Sequence, residues 1–315
     1  MKTLLLGANG QLGRTFLQDG GLAAQGALTA ATRDGVLIQG GPGEIADLSI
    51  PESLSPLLDR VQPDVIVNAA AYTAVDRAEQ EEALASRVND EAVGVLGRWA
   101  AAHGALVIHY STDYVFDGGQ SRPYTVDAPT APLGAYGRSK LAGEQSLQRS
   151  GADHLIFRTA WVYAAHGHNF LRTMLRLGAE RDELRVVDDQ HGAPTDTTLI
   201  AQGSLAALAL WRQADPATRR QLGGIHHLVA SGATTWHGFA SAIFAEAQSL
   251  GLIARAPRVL PIASADYPTP AQRPAWSLLD NRGFQRHFAF TLPDWRQRLP
   301  AVLAAVRDTM DPHEH

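Results

Sequence analysis

Lys2-Thr3-Leu4-Leu5-Leu6-Gly7-Ala8-Asn9-Gly10-Gln11-Leu12-Gly13 is the stretch that decides the fold. A short apolar run reads as a strand buried on both faces, since a half-exposed strand would alternate. Glycines at positions 7, 10 and 13 follow at once and lead into a helical segment. A strand that turns sharply into a helix needs glycine for the turn, for close approach of the backbone to a ligand, and for close helix–strand packing. The helix N-terminus then offers oriented N–H groups and positive dipole, which suit a pyrophosphate. Position after a strand and before a helix gives this glycine triad its weight as a dinucleotide loop.

Outward from that loop, continuous apolar runs predict further strands at Ala27–Thr32, Asp64–Asn68, Leu106–Ser111 and His154–Arg158. Helical patterns lie between them, notably Glu79–His103 and Tyr136–Ser150, and Ser49 with Glu52 reads as a capping box opening a helix that runs to Arg60. The alternation predicts an α/β fold, a Rossmann-type doubly wound parallel sheet over residues 1–160. Residues 161–315 read mainly as a smaller substrate-binding lobe. Within them, 196–230 return to the first domain, with Thr198–Gln213 helical, while Gly167–Pro194 and Ser231–Leu279, rich in Pro, Gly and His, read as the lobe itself. Asp311–His315 reads as a polar, frayed tail.

The 315 residues are 45% hydrophobic and 19% charged, and the formal net charge is -5. That balance provides no basic footprint for nucleic acid. The absence of cysteine excludes disulfides and thiolate chemistry and is compatible with a reducing cytoplasm. The apolar run Leu4–Leu6 is too short for a signal segment, and no stretch is long enough to span a bilayer. A cytoplasmic protein without membrane or nucleic-acid partners is expected.

Coenzyme preference should be set at the end of the second strand, where Thr32-Arg33-Asp34 stands. Aspartate there would take the ribose hydroxyls, and arginine would pair with a 2′-phosphate. Arg33 favours NADPH over NADH, with use of both expected; Asp47 and Leu48 fall where a loop meets the adenine.

The chemistry points to Tyr136-Gly-Arg-Ser-Lys140, in which tyrosine and lysine four apart share one helix face. A nearby ammonium is expected to lower the phenol pKa toward working pH and make a usable proton donor. Upstream, His109-Tyr-Ser-Thr112-Asp113-Tyr-Val-Phe-Asp117 sits at the carboxyl end of a predicted strand, where open α/β sheets bind ligands. A Thr112 or Ser111 hydroxyl there would hold and polarise a carbonyl; the alternative for Thr112 is a local turn.

These motifs resemble the extended short-chain dehydrogenase/reductases, and within them the dTDP-4-dehydrorhamnose reductase family. The likeness continues at Val65–Ala71, Phe157–Tyr163, Asp188–Thr195 and Tyr267–Pro274. It implies reduction of the 4-keto group of dTDP-4-dehydrorhamnose with NADPH or NADH, in dTDP-rhamnose and cell-surface polysaccharide biosynthesis. It places Gly7, Gly10, Gln11, Leu12 and Gly13 along the pyrophosphate, and Ala71, Tyr72, Thr73 and Tyr110 on the cofactor side. Lys140 would hold the ribose, Tyr136 would donate the proton, and Thr112, Asp113, Trp161 and Arg273 would meet the substrate. Asn89 matches a structural asparagine near the cofactor, against a plain helix-surface amide.

Some members use a magnesium ion between protomers, held partly by an acid early in the first helix. Arg14-Thr15 stand there instead, and His166-Gly-His168 reads as a polar loop, so no metal ligand is assigned. A homodimer is the assembly left open. Three rival functions have sequence tests. A sugar-nucleotide 4,6-dehydratase would need a glutamate after Asp113, where Tyr114 stands. A non-catalytic regulatory subunit of the same fold, as in a relative of methionine adenosyltransferase, would not need Tyr136, Lys140 and Thr112 together. Another nucleotide-sugar 4-ketoreductase would share them all.

Overall fold

The computed structural model describes residues 1–310; the tail reading at Asp311–His315 lies outside the described residues. Six strands appear in order: β1 (Lys2–Leu6), β2 (Ala27–Thr32), β3 (Glu44–Ile45), β4 (Val65–Asn68), β5 (Leu106–Thr112) and β6 (His154–Thr159). With the strand Gly224–His227 they form one seven-stranded sheet, ordered Gly224–His227, β6, β5, β4, β1, β2, β3. Every pairing in it is parallel.

Side-chain alternation along the strands builds two cores from one sheet. Leu5, Val65, Val67, Leu106 and Ile108 face one side, with Phe16 of α1 (Gln11–Asp19) and with Leu199 and Ile200 of the helix Thr197–Gln213. Leu4, Leu6, Ile66 and Val107 face the other, against Leu57 and Leu58 of α2 (Leu54–Val61) and Leu96 of the helix Ala92–His103. Burying each such side chain contributes roughly 1.5–3 kcal/mol. This double burial is why the strands read as unbroken apolar runs.

Strand order reverses between β1 and β4, whose register pairs Leu6 with Asn68. The two flanking chains leave in opposite directions there, which opens a crevice at the carboxyl ends of the strands. Residues 161–310 contribute the helices Phe170–Glu180, Trp236–Ser249, Arg282–Phe288 and Trp295–Met310, and a parallel pair of strands, Glu183–Val187 and Arg258–Ile262. Among the described residues, no helix is long and apolar enough to cross a membrane.

Two local expectations are corrected. The helix predicted over Glu79–His103 is broken, with Val75–Ala78 ending early, Glu82–Ser86 starting again, and a π-helical turn at Arg87–Glu91 leading into Ala92–His103. The capping box does not form, because the Ser49 hydroxyl donates to Asp47 at 2.7 Å, a 3₁₀ turn covers Pro51–Ser53, and α2 begins at Leu54.

Candidate active site

The glycine turn behaves as its sequence demands. Gly7 has φ +75°, and a Cβ there would lie 2.6 Å from the Ala70 nitrogen of the neighbouring β4 loop. A Cβ on Gly13 would lie 2.1 Å from the Gly7 carbonyl oxygen, so the first helical turn can pack onto the loop only with glycine. Gly10 stands at the N-cap of α1 with no side chain capping it. The first N–H groups of that helix therefore face the crevice without an internal side-chain partner.

A cleft of about 590 Å³ runs from this turn across the carboxyl ends of the strands. It brings together Gly7, Gly10, Gln11, Leu12, Arg33, Asp47, Leu48, Ala71, Thr73, Tyr110, Thr112, Asp113, Tyr136, Lys140 and Trp161. Three expected site residues do not line it. Gly13 lies behind the turn, and Tyr72 directs its phenol to Glu81 at 2.5 Å. Arg273 pairs with Asp76 at 2.8 Å and reaches the site only through the Tyr114 phenol. Tyr110 lines the cleft, yet its hydroxyl donates to Ser204 at 2.9 Å in the core. A second cleft of about 810 Å³, between Gln120–Pro129 and Leu278–Arg282, holds none of these residues.

The helix Ala135–Arg149 carries the reactive pair, and two distant residues set its position. Glu79 accepts the Ala135 N–H at 2.8 Å, capping a helix whose own Gly134 has no cap to offer. Asn89, in the π-helical turn, is buried and not a surface amide. It accepts the Tyr72 N–H at 2.9 Å and donates to the Tyr72 carbonyl at 3.0 Å and the Ser139 hydroxyl at 3.0 Å. One side chain thus ties the loop after β4 to the helix of Tyr136 and Lys140. Deeper in the same helix, buried Glu144 forms a two-pronged ion pair with Arg158 of β6, at 2.9 and 2.7 Å.

Burial decides the electrostatics. Lys140 is almost fully enclosed and donates to the Tyr110 carbonyl at 2.6 Å, with His109 Nε2 3.3 Å away. Desolvation brings its ammonium down to about 8, against the pull of Glu144. It remains a cation at neutral pH. Tyr136 shows the opposite of the expected shift, because burial pushes its phenol up to about 12 and the hydrogen bond with the Thr112 hydroxyl draws only partly the other way. The ammonium is turned toward the Tyr110 carbonyl and does not offset the desolvation. Tyr136 is therefore a neutral phenol, a form that can donate a proton.

Thr112 makes the local turn that was its alternative reading, and it also stands on the cleft wall. Its oxygen accepts the Tyr114 N–H at 3.2 Å as a local turn, while its hydroxyl donates to Asp113 at 3.0 Å on the cleft wall. Burial raises Asp113 to about 6, against hydrogen bonds from Ser277 and Thr112, and its Oδ2 has no partner.

Trp236 went unrecognised in the sequence. Its indole lies parallel to that of Trp161, centroids 3.6 Å apart and 4° between planes. Gly192 backs the pair, since a Cβ there would come within 2.4 Å of Trp161 Cε2. Trp161 also holds φ +48°, an uncommon backbone state for a bulky residue. No signal in the sequence joined positions 161 and 236, because only the fold brings them together. His168 reaches the cleft, while His166 donates to the Gln11 carbonyl at 3.1 Å. Among the described residues, no group of three or more His, Asp or Glu side chains is placed to hold a metal.

The family profile described as "RmlD substrate binding domain" matches residues 1–308. A dTDP-4-dehydrorhamnose reductase from Burkholderia thailandensis is 46% identical over 98% of this chain and 99% of that protein. One from Escherichia coli K12 is 43% identical over 96% and 97%. The chain belongs to the dTDP-4-dehydrorhamnose reductase family. Its fold agrees with that membership. A crystal structure of a dTDP-4-dehydrorhamnose reductase from Clostridium acetobutylicum superposes with TM-score 0.85 at 30% identity, covering 98% of this chain and 100% of that one. Another, from Bacillus anthracis in complex with NADP, gives 0.80 at 28% identity, covering 96% and 98%.

Proposed function

We propose that this cleft reduces the 4-keto group of dTDP-4-dehydrorhamnose to give dTDP-L-rhamnose, with NADPH or NADH as reductant. The observation that carries the reading is that Tyr136 and Lys140 stand together on the wall of the cleft that begins at the glycine turn. The turn suits a dinucleotide, because Gly13 leaves no room for a side chain and the uncapped start of α1 presents free N–H groups to a pyrophosphate. Gly10, Gln11 and Leu12 would hold the diphosphate, Arg33 with Asp47 and Leu48 the adenosine end, and Ala71, Thr73 and Lys140 the nicotinamide riboside. Bound there, the coenzyme supplies a hydride.

The side chains do the rest. Tyr136 gives its phenolic proton to the oxygen as C4 becomes an alcohol, while Lys140 serves the nicotinamide riboside. Thr112 holds the carbonyl in line. The unpaired Oδ2 of Asp113 accepts a sugar hydroxyl, and the Trp161 indole packs against an apolar face of the substrate.

Tyr136→Phe keeps the ring and removes only the proton. General acid catalysis contributes roughly 10²–10⁴-fold, so kcat with dTDP-4-dehydrorhamnose should fall by about that factor while NADPH affinity holds. Near-normal turnover of this variant would remove Tyr136 from the chemistry. A wild-type protein that bound NADPH but never turned over the sugar nucleotide would instead favour the regulatory-subunit reading.

A further inference from the structure

The segment after β2 folds back on itself. Gly43 N–H bonds the Gly35 carbonyl at 2.8 Å, Val36 bridges Pro42, and Gly40 N–H bonds the Leu37 carbonyl at 2.9 Å. Residues 33–43 thus form a hairpin that leaves the sheet and stands at the mouth of the cleft beside the glycine turn. Hairpins with this much glycine (positions 35, 40, 41 and 43) hold no fixed place by themselves.

One side chain supplies the missing anchor. The Asn9 amide, from inside the glycine turn, donates to the Val36 carbonyl at 2.7 Å and accepts the Ile38 N–H at 2.9 Å. It copies the two-way bonding of a neighbouring strand and fastens the hairpin to the phosphate loop. Within the hairpin, Asp34 is already committed. Its carboxylate accepts the Thr32 hydroxyl at 3.0 Å and the Val36 N–H at 3.2 Å. Arg33 is exposed and is the residue of the hairpin that lines the cleft. Of the two residues competing for the adenosine ribose, the acidic one is turned into its own loop and the basic one faces the ligand.

We propose that Asn9 is a positioning residue for coenzyme selectivity: by fastening the 33–43 hairpin to the glycine turn, it holds Arg33 where it recognises a phosphate on the adenosine ribose. The proposal rests on the dinucleotide reading above. It assigns a polar side chain of the turn to a task that the three glycines cannot perform. A phosphate on the ribose adds a dianion that only a well-placed guanidinium meets bidentately, whereas a bare ribose makes no such demand. Losing the anchor should therefore weaken NADPH and leave NADH nearly untouched.

The test is a double-mutant cycle read by coenzyme binding, with no turnover involved. Dissociation constants for NADPH and NADH are measured by fluorescence for wild type, Asn9→Ala, Arg33→Ala and the double variant. Asn9→Ala should weaken NADPH about tenfold and change NADH by less than about twofold. The double variant should bind NADPH no more weakly than Arg33→Ala, because both changes remove the same contact. NADH affinity is also the folding control, since a misfolded variant would lose both coenzymes. Equal losses for NADPH and NADH, or additive effects in the double variant, would overturn the assignment while leaving the reductase reading intact. A wild-type protein that bound neither coenzyme would sink both.

Discussion

Asp113→Asn puts a number on the tension between stability and chemistry in this cleft. The wild-type carboxyl is buried, and its folded-state value is about 6 against an ordinary 3.8, with burial as the main cause. The native state thus holds the proton more tightly than the unfolded chain does. Below pH 3.8 the carboxyl is neutral in both states and costs nothing. As pH rises through 6 the native protein must either carry a buried anion or bind a proton it would otherwise release. A shift of about two units corresponds to about 3 kcal/mol of stability lost by neutral pH.

Asparagine does not titrate and keeps the shape. Any change in hydrogen bonding is constant with pH, so the pH dependence of the difference isolates the charge. Urea denaturation should show the variant's stability relative to wild type growing by about 2 kcal/mol or more between pH 4 and pH 7.5. Affinity should move the other way. A charge-assisted hydrogen bond to a sugar hydroxyl contributes about 1.5–3 kcal/mol, so KM for the sugar nucleotide should rise roughly tenfold to a hundredfold. A stability difference that stayed flat from pH 4 to 7.5 would show that Asp113 is not held as a strained carboxylate.

Two further substitutions probe the frame around the site. Gly192→Ala puts a Cβ 2.4 Å from Trp161 Cε2, so the indole must shift; with overpacking of about 1–3 kcal/mol, KM for the sugar nucleotide should rise about tenfold while NADPH affinity stays level. Arg158→Met leaves the buried Glu144 carboxylate unpaired and should cost about 3–5 kcal/mol in urea denaturation, most of it recovered by adding Glu144→Leu. A single variant as stable as wild type would mean that water reaches Glu144.

What the sequence made legible was whatever depends on near neighbours. β1 and β2 have the bounds read from their apolar runs, and β5 and β6 extend them by one residue each. The glycine turn was legible because its three glycines fall within seven residues, although Gly7 is also held to glycine by Ala70 of the loop after β4. β3 was missed because two residues among glycines show no period, and Gly224–His227 because two of its four residues are histidines that only the fold buries. The cap that Glu79 supplies belongs to a helix start 56 residues away, which no local pattern shows. The phenol of Tyr136 was read with the wrong sign for the same reason. An ammonium four positions away is visible in sequence, whereas desolvation depends on everything packed around the ring.

The polar atoms left unpaired explain why the cleft suits a deoxysugar. Ser111 Oγ, Asp113 Oδ2 and Thr159 Oγ1 are buried without partners, and all three residues line the cleft wall at the ends of adjoining strands. Each such atom costs about 1–3 kcal/mol when nothing meets it, so a core built for stability alone would have filled these positions with apolar groups. The facing contribution from the second half of the chain is aromatic, Trp161 on Trp236. A purely apolar ligand would strand the hydroxyls and the carboxylate opposite the indole. A 6-deoxy-4-keto sugar has both surfaces, hydroxyls on one side and a methyl with ring C–H groups on the other. That division supports the proposed sugar substrate independently of Tyr136.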